Sequence, residues 1–143
     1  MSNTKVTVTI HSLQTLDTGK EVLTQQARGD LRREGETWLL TYREGESSGL
    51  GDTRTTLEIA PRRAVLTRTG ELSSRMVFQP GETHTSLYQT PYGRIPMTLR
   101  TLSLRSDLGE RGGHVTIHYT MEIGGAAGET RLRLTVKTKE NEP

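Results

Sequence analysis

Val115-Thr116-Ile117-His118-Tyr119-Thr120-Met121-Glu122-Ile123 alternates apolar and polar residues without a break. In an extended chain that period of two gathers the apolar side chains on one face and the threonines, histidine and glutamate on the other, so the stretch predicts a half-buried β-strand. The same alternation continues downstream in Leu132, Leu134 and Val136. Upstream it runs through Ile95, Met97 and Leu99, Met76 and Phe78, Leu57 and Ile59, Trp38, Leu40 and Tyr42, and Val6, Val8 and Ile10. The helical period of 3.6 is missing. Twenty-three threonines fill the remaining strand positions, and threonine is β-branched yet content in water on an outer face.

Turn residues separate these runs at the spacing an antiparallel meander needs. They are Asp17-Thr18-Gly19, Glu34-Gly35, Gly49-Leu50-Gly51, Ala60-Pro61, Thr69-Gly70, Pro80-Gly81, Pro91-Tyr92-Gly93, Gly112-Gly113 and Gly124-Gly125. Nine breaks imply about ten strands. No interval fits the crossover helix of a parallel sheet. A long meander leaves two unpaired edges unless it closes, and closure removes them. The expectation is therefore an all-β chain, a single domain over 1–143, folded as one closed antiparallel barrel of about 8–10 strands. Between Leu99 and Leu102 the apolar phase moves from odd to even positions, which predicts a bulge or barrel corner near Thr101 and places Leu102 and Leu104 inside.

Composition limits the function classes. With no cysteine, disulfides, thiolate nucleophiles and cysteine-rich zinc sites are excluded, and a reducing compartment suits the chain. No signal peptide and no membrane-length apolar run are read, so the expected location is cytoplasmic, with no membrane partner. Nineteen basic residues are interspersed with 17 acidic ones and aromatics are few; this argues against nucleic acid as a partner. The sequence carries no signal for oligomeric state. No nucleophile elbow, phosphate loop or helical HExxH occurs, and no cofactor is expected.

Two constellations merit scrutiny. His114 and His118 have H-x3-H spacing, but on a strand four residues span about 13 Å, too far for one ion, and both point opposite Val115, Ile117 and Tyr119. They read as solvated surface histidines, and no metal site is expected. Glu44, by contrast, shares the phase of Trp38, Leu40 and Tyr42, and Arg68 shares that of Leu66. Both would point inward at a barrel mouth, where each lowers the cost of burying the other. Glu44 and Arg68 with Tyr42, Tyr88 and Tyr92 are the candidate ligand-binding residues. The Thr90-Pro91-Tyr92-Gly93 stretch reads first as a turn, with Tyr92 at its tip.

Leu40-Thr-Tyr42-Arg-Glu44, Leu50-Gly51, the strand from Thr55 to Ile59, Arg68-Thr-Gly70, Met76-Val-Phe78, Thr90-Pro-Tyr92-Gly93 with Met97 and Thr101, and Tyr119 together resemble the YwiB-like family of uncharacterised bacterial β-barrel proteins. The resemblance spans 5–136. It implies a calycin-type barrel, lipocalin-like in shape, in a family of cytoplasmic bacterial proteins with no established activity. The small-residue segment Gly124-Gly-Ala-Ala-Gly128 departs from that pattern, so nothing tied to that rim is carried over.

Three functions are compatible with such a barrel. A binding module would enclose a small amphipathic molecule, with Glu44, Arg68 and tyrosines selecting its polar end, and would have a cavity of roughly 300 Å³ or more. An interaction module would use an outer face or strand edge. An enzyme would use Glu44 as acid or base. Binding ranks first, interaction second and catalysis third, because the inward phase of charged residues beside large apolar ones is the one directional clue.

Overall fold

The computed structural model describes residues 3–17, 19–43, 53–70 and 73–138. Ten strands form one antiparallel sheet: β1 (Thr4–Leu16), β2 (Gly19–Glu34), β3 (Thr37–Arg43), β4 (Thr53–Ala60), β5 (Arg63–Gly70), β6 (Ser74–Phe78), β7 (Thr83–Thr90), β8 (Gly93–Ser106), β9 (Gly112–Ile123) and β10 (Ala126–Thr138). Their order is β6-β5-β4-β3-β2-β1-β10-β9-β8-β7. Every neighbouring pair is sequential except β1 and β10, which zip from Val6–Thr138 to Leu16–Gly128. The expected all-β meander barrel is the observed fold, with the wall closed almost completely.

The alternation read from the sequence decides what lies inside. Val6, Val8 and Ile10, Leu40 and Tyr42, Leu57 and Ile59, Met76 and Phe78, Met97 and Leu99, Val115, Ile117 and Tyr119, and Leu132, Leu134 and Val136 are buried in one cluster. Threonine, arginine and glutamate occupy most of the intervening outward positions. This apolar-in, polar-out polarity is the inverse of an outer-membrane barrel. No helix of the described residues is long and apolar enough to cross a membrane.

The bulge expected near Thr101 is present, as a register shift between Thr101 and Ser103 in the pairing of β8 with β9. Its sense differs in one detail. Thr101 is buried, whereas Leu102 is the extra residue and stands 44 % exposed; Leu104 then resumes the inward phase. A second difference concerns Gly112-Gly113, read as a turn. The turn is Glu110–Arg111, and both glycines open β9. They are needed for close approach: a Cβ on Gly112 would meet the Val136 carbonyl oxygen at 2.1 Å, and one on Gly113 the Asp107 carbonyl oxygen at 2.6 Å.

The last joint is the weakest. Among the described residues, β6 and β7 are bridged only at Ser73–Gln89, with Ser73 N–H donating to Gln89 C=O at 3.0 Å and Gln89 N–H returning a bond to Ser73 C=O at 2.8 Å. At the other end of β6 the turn joins the bulge instead: Gly81 N–H donates to Thr101 C=O at 2.9 Å, and Thr101 N–H to Glu82 C=O at 3.2 Å. Gln79 N–H adds a 3.2 Å bond to Thr101 Oγ1. The buried threonine is thereby explained as the residue that fastens the wall.

Candidate functional site

Inward positions of successive strands line up because the register is continuous. Tyr42 faces Thr55, Thr55 faces Arg68, and Arg68 faces Ser74. The Ser73–Gln89 bridge then sets Ser74 beside Tyr88. A polar row thus crosses five strands on the inner wall, one pair of positions from the apolar row Leu40, Leu57, Leu66 and Met76. Tyr42, Thr55 and Ser74 are buried, and Arg68 and Tyr88 are half-buried. Three of the five residues singled out in the sequence, Tyr42, Arg68 and Tyr88, share this row. Tyr92 does not: it stands 99 % exposed at the β7–β8 turn. Glu44 lies outside the described residues.

Arg68 is held close to apolar surface, its Nη1 4.0 Å from Met76 Sδ. Across the interior, Tyr119 packs its ring on Phe78 with centroids 5.0 Å apart and a 57° tilt. Its phenol bonds to the Thr130 hydroxyl. Burial pushes the Tyr119 phenol above its ordinary value, against the opposing attraction of Arg68 and the Thr130 bond. Ser74 carries a loose end of the row. Its hydroxyl is buried and has no hydrogen-bond partner among the described residues.

The raised phenol has a pH consequence. An unfolded tyrosine ionises near 10.0, whereas native Tyr119 holds its proton to higher pH. Its contribution to stability is therefore complete below that value and is lost as pH rises through the native one. In an ultraviolet titration of phenolate absorbance, Tyr119 should ionise only together with the loss of circular dichroism. Tyr119→Phe should remove that part of the alkaline destabilisation; ionisation of Tyr119 with the fold intact would contradict this picture.

The histidine pair lies on the outer face as read. His114 and Asp107 form a loop clamp, with His114 N–H donating to Asp107 Oδ1 at 2.5 Å, and that backbone donor is the main reason the Asp107 carboxyl is lowered. His118 pairs with Glu129. No group of three or more metal-ligating side chains occurs among the described residues.

Sequence reading passed over Thr55 and Ser74, although both were signalled. Thr55 shares the phase of Leu57 and Ile59, and Ser74 that of Met76 and Phe78. A small hydroxyl on an apolar phase is a buried polar group, and such groups require partners.

A family model described as Domain of unknown function (DUF1934) matches residues 8–134. The chain is 25 % identical over 122 residues to the "Uncharacterized beta-barrel protein YwiB" of Bacillus subtilis (strain 168), a match covering 85 % of this chain and 84 % of that protein. The crystal structure of the ywiB protein from Bacillus subtilis superposes with a TM-score of 0.83 at 23 % identity, over 95 % of this chain and 94 % of the other. That likeness is one of fold.

Proposed function

The chain belongs to the DUF1934 family, and on the premise of a family barrel with no assigned activity we propose that it is a binding protein which takes a small, partly apolar molecule into its interior. The observation that supports this reading is the inner polar row. A half-buried guanidinium and a buried hydroxyl without a partner among the described residues lie side by side, Arg68 facing Ser74, next to the apolar row of Leu40, Leu57, Leu66 and Met76. Leaving a buried hydroxyl unbonded costs about 1–3 kcal/mol. A ligand carboxylate or phosphate would satisfy it and meet the arginine in the same plane. Tyr42 and Tyr88 flank that position and supply ring surface, so the row can orient a ligand whose apolar part rests on Met76 and Leu66. A few convergent polar groups in an apolar enclosure is how barrels of the calycin kind fix a ligand.

Native mass spectrometry of the full chain purified from its own host tests the proposal. A co-purifying small molecule, lost from Arg68→Met protein of unchanged circular dichroism, is the expected result. Absence of any adduct, together with no thermal shift across a library of organic acids, phosphates and fatty acids, would overturn it.

A further inference from the structure

Between its two fastenings the wall opens into a slot of about 120 Å³, lined by Arg75, Met76, Val77, His84, Thr85, Ser86, Met97 and Leu99. The lining draws on both faces of the sheet. Arg75 and Val77 point outward, while Met76, Met97 and Leu99 belong to the buried core. The slot is therefore set in the wall itself, with residues of the outer and of the inner face in its lining. Sheet geometry adds a feature that side chains do not supply. Among the described residues β6 and β7 share a single bridge, so the slot lies between two strand edges that are not zipped together.

We infer that this slot is the entrance through which the interior site is loaded, and that it selects narrow carboxylates: a short unbranched apolar part with one anionic end. The inference rests on the interior-binding reading and names its ligand class and route. Size sets the first limit. A dry cavity of about 150 Å³ holds one benzene, so a slot of about 120 Å³ takes a short alkyl segment and excludes bulkier ring systems. Charge sets the second. Arg75 is exposed at the rim, where a cation draws anions to the opening. His84 lines the slot from the inner phase of β7, opposite Leu99, its Nε2 3.1 Å from Gln79 Oε1 and 3.8 Å from the Glu82 carboxylate. Glu82 offsets part of the positive field, which favours a single negative charge over several.

Met76 joins the entrance to the interior. Its side chain lines the slot and its sulfur touches Arg68 at 4.0 Å. Unbranched methionine changes rotamer readily. Turning Met76 aside connects the slot with Arg68 without moving backbone.

The probe is hexanoate, titrated into full-length protein with carbon-13 methionine methyls. Four methionines give four signals, two of them, Met76 and Met97, from the slot. Hexanoate should shift both, and hexanol should bind roughly tenfold more weakly for want of the charge. Ser86→Phe, which fills the slot from a half-buried position, should slow association at least about tenfold, and Arg75→Gln should weaken hexanoate but not hexanol. No methyl shift with hexanoate would overturn the inference. Binding that depends on Arg68 but keeps its rate in Ser86→Phe would also overturn it, while leaving the interior-binding reading intact. Failure of both native mass spectrometry and the library screen would remove that reading itself.

Discussion

Phe78→Ala should cost about 3–5 kcal/mol, the range for truncating a buried phenylalanine. Phe78 is the one phenylalanine in the chain, is 0 % exposed, and stacks on Tyr119. It ends β6, a five-residue edge strand, and the stack reaches across to β9. Truncation would both leave a cavity and release the short strand that the β6–β7 joint holds by so few bonds. Against the roughly 5–15 kcal/mol that a domain possesses in total, the loss is large enough to populate unfolded chain. Urea unfolding followed through Trp38 fluorescence measures it. Phe78→Leu, which keeps most of the volume, should cost less than about 1.5 kcal/mol. Equal losses in the two variants would show that the cavity is not the cause.

Gly112→Ala should be comparably damaging for a different reason. The backbone there has φ +101°, and the new Cβ would lie 2.1 Å from the Val136 carbonyl oxygen and 2.9 Å from its carbon. Neither atom belongs to a flexible side chain, so the β9–β10 ladder must part locally. Strain and lost ladder bonds together place the cost at about 3 kcal/mol or more. Gly125 provides the control. Its φ is +83°, yet a Cβ there meets nothing within 4 Å, so Gly125→Ala should carry only the dihedral penalty of about 1–2 kcal/mol. Chemical denaturation of the two variants separates contact from conformation; equal midpoints would refute the assignment to contact.

Strand positions and inward faces were legible because a half-buried strand imprints its period on the sequence, as from Val115 to Ile123. The bulge was legible for the same reason, since a phase change at fixed chemistry requires an extra residue. Which residue bulges was not, because Leu102 looks like a core residue and only pairing with β9 turns it outward. Gly112 and Gly113 misled for a related reason: glycine serves turns and close contacts alike, and the two differ only in what lies opposite. The polar row was half visible. Arg68 and the tyrosines stood out by size or charge, while Thr55 and Ser74 were hidden among many threonines and serines whose common place is the surface. The β6–β7 slot could not be read at all, being defined by bonds that two strands do not make.

The pairing of β1 with β10 has a consequence for how the chain reaches its fold. Eight of the nine ladders between the described strands join sequence neighbours and can zip as hairpins while the polypeptide is still emerging. The β1 edge, however, waits for the last strand, and closing that span carries the largest loop-entropy cost in the molecule. During synthesis Val6, Val8 and Ile10 thus line an open, β-branched edge, the condition under which strands find partners in other chains. Yet this late ladder, once formed, is among the longest in the barrel, and the joint that stays loose is the one between neighbours at the middle of the chain. A circular permutant opened at 79–82 would make every ladder between the described strands sequence-adjacent and leave the short Ser73–Gln89 bridge to close last.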